Sequence, residues 1–146
     1  GSIRVHGRTC SYRDLRRRVW FGPNDVKAEF FTPSVKEEAM LLVKPDETHK
    51  NRARGILHDL DLWELREQHP ATLSGGQKQR LAIACGLMSD RTVLVFDEPT
   101  SGLDALNMEV VAGALETAAR EGRAIIVVTH DNEFIGRCCT HIFELE

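Results

Sequence analysis

The sequence predicts an α/β fold in which a small helical unit is inserted ahead of a parallel β-sheet core. Three observations carry this. Thr92-Val93-Leu94-Val95-Phe96 and Ala124-Ile125-Ile126-Val127-Val128 are short continuous apolar runs, the pattern of strands buried on both faces of a parallel sheet. Between them, Ala105 to Arg120 carries Leu106, Val110, Ala114 and Ala118 at helical spacing, so strand, helix and strand make one βαβ unit with a right-handed crossover. Upstream, residues 34–66 read as successive short helices.

In chain order, residues 2–6 alternate as a short strand, and Val19-Trp20-Phe21 form a second after the cluster Arg13, Arg16, Arg17 and Arg18. Pro23 fixes its own φ and biases Gly22 away from helix, so Gly22-Pro23-Asn24-Asp25 opens a loop. Ser34, with Glu37 three residues on, caps a helix reaching Val43, whose apolar stripe is Val35, Ala39 and Leu42; Pro45 ends it. Further helices are expected over Glu47–Leu57 and Leu60–Arg66, until His69-Pro70 stops the series. The last residues, His141 to Glu146, read as a strand, and with no initiating methionine the chain reads as a fragment, truncated at its N-terminus.

The stretch around which these elements are organised is Leu73-Ser74-Gly75-Gly76-Gln77-Lys78-Gln79-Arg80. Ser74 and Gln77 have capping-box spacing, and Leu81, Ala84, Cys85 and Met88 follow at helical intervals. Two glycines in the first turn leave the backbone N–H groups uncovered. With the positive end of the helix dipole behind them and the Ser74 hydroxyl beside them, they suit a phosphate.

Composition narrows the class. At 42% hydrophobic and 28% charged residues, the 146-residue chain fits one globular domain or a piece of one, and no apolar run reaches the length of a membrane span. Cys10, Cys85, Cys138 and Cys139 lack zinc-ligand spacing and are expected as reduced thiols. A net charge of −3 argues against a polyanion-binding protein, so no nucleic-acid partner is expected; the arginine cluster reads as a solvated charged face, with nucleic acid or acidic headgroups as the other reading.

Strand order places the polar residues. Asp97 and Glu98 end the first apolar strand and Thr129 and His130 the second, so all four fall on the carboxyl rim where open α/β sheets bind ligands. Burying two adjacent carboxylates uncompensated is expensive, and a cation supplies the compensation. Asp97 is placed to hold Mg2+ directly or through water, Glu98 to polarise a water attacking a phosphate, and His130 to meet a γ-phosphate or that water. Singly, each reads as a loop acid or an ordinary polar histidine.

Taken together, Leu73 to Gln77, Val93 to Thr100, Ser101-Gly102-Leu103-Asp104 and Val128-Thr129-His130-Asp131 stand in an order and spacing that resembles the ATP-binding-cassette (ABC) ATPases, over nearly the whole chain. The resemblance implies a P-loop NTPase-like sheet with ATP and Mg2+ as cofactors. Residues 34–72 would be the helical subdomain and 73–146 the part running from signature helix to switch region. Ser74, Gly75, Gly76 and Gln77 would belong to the signature motif, Asp97 to Walker B, Glu98 would be the catalytic carboxylate, Asp104 would close the D-loop and His130 would be the switch histidine. Only about 50 residues separate Asn24 from Ser74, which is similar to transporter cassettes rather than to relatives interrupted by long coiled coils. The stretch Asn24 to Val35 resembles the Q-loop of energy-coupling-factor and cobalt-type importers, in particular the second cassette of their tandem ATPases; Asn107-Met108 and the pair Cys138 and Cys139 fit the same subgroup.

Two departures stand out. Asn24 occupies the place of the Q-loop glutamine, which contacts the metal and nucleotide, and is one methylene shorter. No G-x-x-x-x-G-K-[S/T] loop occurs anywhere in the chain. The resemblance implies a head-to-tail dimer with a second cassette, a transmembrane permease subunit docking near Asn24 to Val35, and a place in the cytoplasm at the inner face of the cell membrane. Three readings stay open: a subunit energising uptake of a solute or metal ion, a soluble ABC ATPase acting on ribosomes or nucleic acid, and a non-catalytic cassette serving as an interaction module. Half a phosphate cradle leaves the isolated chain with negligible expected turnover.

Overall fold

The computed structural model describes residues 4–5, 8–22 and 30–144. Asn24, and the strand expected over residues 2–6 apart from residues 4 and 5, lie outside them. The chain opens with a two-residue antiparallel pair, β1 (Arg4–Val5) and β2 (Arg8–Thr9). Helix α1 (Tyr12–Arg18) follows, a helix that no apolar periodicity announces because it buries no residue. Its start is held by a capping box: Asp14 N donates to Ser11 Oγ and Ser11 N to Asp14 Oδ2, both at 3.2 Å.

Strands β3 (Val19–Gly22), β4 (Val93–Asp97) and β5 (Ala124–Val128) form a parallel sheet in that order. The register aligns Trp20, Leu94 and Ile125, then Phe21, Val95 and Ile126. Successive rungs face opposite sides. The side holding Trp20, Leu94 and Phe96 packs against helices, and Leu94 and Phe96 are buried. The other side is open: Phe21, Ile126 and Val128 are 58%, 50% and 49% exposed. The expectation of strands buried on both faces is therefore corrected. Continuous apolar sequence records two faces that suit burial, but among the described residues only one is covered.

The covering helices are α2 (Val35–Ala39), α3 (Glu47–Asp59), α4 (Gly75–Met88), α5 (Ala105–Arg120) and α6 (Asn132–Cys138). Helix α4 is central, meeting β3, β4, α2, α3 and α5. It lies so close to the sheet that a methyl group at Gly86 would sit 2.6 Å from the Trp20 ring, which itself packs on Phe96 at 5.2 Å. Leu81, Ala84 and Met88 are buried as expected, and Ile83 and Leu87 with them, so α4 is enclosed almost all round.

Four smaller expectations are corrected. Helix α2 stops at Ala39, which leaves Leu42 exposed outside it; in α5 the expected Ala114 and Ala118 are buried, but Met108, Val111, Ala112 and Leu115 complete the stripe and the expected Leu106 is exposed. Residues 60–66 hold only a 3-10 turn, Trp63–Leu65. Asp61 adopts a left-handed φ of 52° after α3, and Leu62 N donates to Leu57 O at 2.8 Å, a Schellman termination that turns the chain. The carbonyls of Arg66 and Gln68 then serve the first N–H groups of α2, at Lys36 and Val35, both at 3.0 Å. Finally, residues 141–144 are irregular, and among the described residues no strand pairs with them. Helix α6, which was not expected, is set by Asp131, whose Oδ1 accepts from Glu133 N at 3.0 Å and Phe134 N at 3.1 Å, and by the buried Phe134.

Candidate functional site

Parallel strands put Asp97 at the end of β4 opposite Val128 of β5, so the residues that follow each strand meet at one rim. Glu98 is held in the left-handed region at φ 48°, where a non-glycine side chain is strained. Its N–H donates to Val128 O at 2.8 Å and its carbonyl accepts from Ser101 N at 3.1 Å, which fixes the unusual turn. The carboxylate consequently points back toward β5. Thr129 Oγ1 donates to Glu98 Oε2 at 2.8 Å, His130 N donates to Oε1 at 3.2 Å, and His130 Nδ1 lies 2.6 Å from Oε1.

Burial pushes the Glu98 carboxyl up, but the hydrogen bonds from Thr129 and His130 together outweigh it and hold the group below its ordinary value. An ionised carboxylate only accepts, so His130 Nδ1 carries the proton in this contact and Nε2 faces outward. The Glu98 side chain is 17% exposed and that of His130 92%. Three of the roughly four lone-pair directions of the carboxylate are taken, leaving about one for a water.

Asp97, half-buried beside it, makes no side-chain hydrogen bond among the described residues. Among the described residues no group of three His, Cys, Asp or Glu gathers there to cage a metal. One carboxylate oxygen with open surroundings fits Mg2+, which keeps several waters and takes substrate phosphates as further ligands.

The second half of the candidate site is the start of α4. The capping box is present: Gln77 N donates to Ser74 Oγ at 3.3 Å and Ser74 N to Gln77 Oε1 at 2.9 Å. The Gln77 carbonyl is thereby occupied by the cap. Ser74 and Gly75 are exposed, and a methyl built at Gly75 meets nothing within 4 Å, so the first turn is open to a ligand as the glycines suggested. A methyl at Gly76 would stand 3.3 Å from Leu103 Cδ2, which places this turn beside the Ser101–Asp104 loop. Asp104 caps α5, its Oδ1 accepting from Asn107 N at 2.8 Å and Asn107 Nδ2 at 2.9 Å.

The two halves are joined by a residue that sequence reasoning missed. Gln79 is buried on α4, and its Nε2 donates to Pro99 O at 3.1 Å and Glu98 O at 3.3 Å. The available signal was a glutamine standing inside an otherwise apolar helix face, which requires a partner. Thr129 was placed on the rim without a role; its hydroxyl is a direct support of Glu98. A further tie is Thr100 Oγ1, which donates to Asp131 Oδ2 at 3.2 Å and connects the two rim loops.

An acid fixed by a histidine at a strand end, next to a second carboxylate and an uncovered helix start, is an arrangement suited to a phosphate ligand on an α/β sheet. Known proteins agree. The ABC transporter family profile matches residues 1–101. A Treponema denticola protein carrying the name ABC transporter ATP-binding protein is 40% identical over 147 residues, covering 99% of this chain and 29% of its own length. The HMP/thiamine import ATP-binding protein YkoD of Bacillus subtilis, so named provisionally, is 33% identical over 84% of this chain and 22% of its own length. Among solved structures, the dimeric ABC transporter cassette MJ0796 superposes with a TM-score of 0.70 at 28% identity, covering 82% of this chain and 56% of that one.

The chain belongs to the ABC transporter family of ATP-binding cassettes, which bind and hydrolyse ATP. It spans about three tenths of the length of the first of these relatives. No helix among the described residues is long and apolar enough to cross a membrane.

Proposed function

We propose that this chain is part of an ATP-hydrolysing subunit of an ABC importer of the energy-coupling-factor and cobalt type, where it couples hydrolysis to uptake of a small solute or metal ion. The observation that carries the reading is the Glu98 carboxylate, fixed at the sheet rim by Thr129 and His130 and kept ionised below the ordinary glutamate range. In that role Glu98 accepts a proton from, and orients, the attacking water, while His130 presents Nε2 toward the departing phosphate. Asp97, with Asn24, which lies outside the described residues, would hold Mg2+, which when bound offsets phosphate charge. Ser74 Oγ and the N–H groups of Gly75 and Gly76, with Gln77 and Asp104 shaping the surrounding turns, serve a nucleotide held by a second cassette in a head-to-tail dimer. The dimeric form of MJ0796 supports such a partner.

Residues 34–72 act as the helical subdomain and 73–146 as the segment from signature helix to switch region. The permease subunit docks near Asn24 to Val35. Within the described part of that stretch Phe31 is 78% exposed, whereas Val35 is buried and acts only as core. This arrangement keeps the protein on the cytoplasmic face of the membrane.

The test is Glu98→Gln in the full-length protein. Turnover is expected to fall by about 10²-fold or more, the usual contribution of a positioned general base, with nucleotide binding retained. Unchanged turnover would show that this half is not catalytic. The chain by itself is expected to show no measurable Mg2+-dependent turnover.

A further inference from the structure

We propose that the amino-terminal edge of the sheet carries a second anion site, separate from the nucleotide rim, which takes a small soluble oligophosphate. A pocket of about 370 Å³ is lined there by Tyr12, Arg13, Arg16, Arg17 and Arg91. That volume lies in the range of small-ligand sites, and four of its five walls are arginines.

The site is assembled from two parts of the chain. Tyr12 to Arg17 come from α1, which leads into β3, whereas Arg91 comes from the turn that leads into β4. Arg91 is seated by a hydrogen bond from its Nη1 to the Arg17 carbonyl, and Thr92 N donates to Arg18 O at 3.1 Å, so the two segments are locked together. The Arg16 guanidinium stands 5.9 Å from the centre of the Tyr12 ring, which fixes one wall.

The charge is not internally balanced. Arg52, Arg66, Arg120 and Arg137 each have a carboxylate partner. Among the described residues none lies in ion-pair range of Arg13, Arg16, Arg17 or Arg91. Asp14, the one acid on α1, is engaged by Ser11 Oγ at 2.6 Å and offsets part of the Arg17 and Arg18 charge from beyond ion-pair range, leaving Arg13, Arg16 and Arg91 without an acid. Arg13 and Arg17 are four residues apart on a helix of seven, and like charges at that spacing are destabilising, so the arrangement costs local stability unless an anion sits among them. Guanidinium forks match phosphate oxygens two at a time, and several forks around one concavity suit an anion with more than one phosphate group. Glu98 follows the far end of the five-residue strand β4, about 15 Å away, so one phosphate chain does not fill both places.

The experiment uses the full-length protein loaded stoichiometrically with a tightly held non-hydrolysable ATP analogue and freed of excess nucleotide, and titrates tripolyphosphate calorimetrically. A residual saturable binding event is expected, weakened at least tenfold in Arg16→Gln/Arg91→Gln and in Arg13→Gln alone. Arg18→Gln, which removes the same charge from the same helix without lining the pocket, is expected to change it less than twofold. Circular dichroism confirms that each variant is folded. Absence of residual binding overturns the proposal, as does an equal loss in Arg18→Gln. Binding confined to phosphatidylglycerol vesicles, with none to tripolyphosphate, overturns it in favour of a lipid headgroup.

Discussion

Gln79 gives the sharpest test of how the site is held. Its amide donates to the carbonyls of Pro99 and Glu98, at 3.1 and 3.3 Å. The two acceptors differ in their dependence on it. Glu98 O also receives Ser101 N, whereas Pro99 O has no other partner among the described residues, and Pro99 is fully buried. Replacing Gln79 by Met keeps the approximate volume of the side chain and removes the amide, whose Nε2 makes both of these hydrogen bonds. The Pro99 carbonyl is then buried without a partner, a cost of about 1–3 kcal/mol, and loss of the second bond from Glu98 adds a smaller amount. We expect Gln79→Met to cost about 2 kcal/mol in equilibrium urea unfolding of the protein, with an unchanged m-value. Gln79→Glu should cost more, because it sets an acceptor against two acceptors and buries a charge. A Met variant within about 0.5 kcal/mol of wild type, or a Glu variant milder than Met, would refute the view that this amide secures the turn.

Other outcomes follow from the same geometry. Thr129→Val removes the hydroxyl that donates to Glu98 while leaving the burial, so the Glu98 pKa rises and the acid limb of the pH–rate profile should move to higher pH; a limb that stays put contradicts the assignment. The linked stability has the sign of a depressed carboxylate: it is present above the unfolded glutamate value and lost as pH falls through the folded one, and in Thr129→Val that loss should come at higher pH. Gly86→Ala should destabilise by about 1–3 kcal/mol because its methyl collides with Trp20, whereas Gly55→Ala and Gly113→Ala, on open helix surface, should each stabilise by about 0.5–1 kcal/mol in the same unfolding assay. Ser74→Ala loses the α4 cap and should cost about 1 kcal/mol, with turnover of the partner cassette falling further than the stability loss explains.

The parts of the fold that the sequence made legible were those in which local chemistry and packing agree. The runs at 92–96 and 124–128, the Ser74 cap and the rim position of Glu98 and His130 all have strong local signatures, and the strands and cap formed where expected. The failures are equally physical. Apolar continuity in β5 reports what its residues can bury, not what is present to cover Ile126 and Val128. The helix expected at Leu60 gave way to a left-handed Asp61; aspartate visits that region more often than most residues, but not often enough to mark a helix end by itself. Helix α1 buries nothing, so periodicity had nothing to detect, and only its Ser11–Asp14 spacing carried the signal. Within the site, residue type suggested an acid and a histidine, but not that Thr129 and the buried Gln79 are what orient the turn between them.

One feature also has a mechanical meaning. The buried Glu38 carboxylate holds Phe31 N, Thr32 N and Thr32 Oγ1 on a single oxygen at 2.8–2.9 Å, and its own backbone carbonyl receives the Cys85 thiol at 3.5 Å. The exposed Phe31 is thus tied to the last turn of α4, at the opposite end of the helix from Ser74. Cys85 lies about 16 Å along the helix axis from Ser74, so a tilt of about 5° about that attachment carries the serine about 1.4 Å. Displacements of about 1 Å are enough to change the rate of a positioned reaction by two orders of magnitude. In the proposed dimer, a push at Phe31 that tilted α4 by this amount would shift the Ser74 hydroxyl by about 1.4 Å relative to the partner cassette's nucleotide.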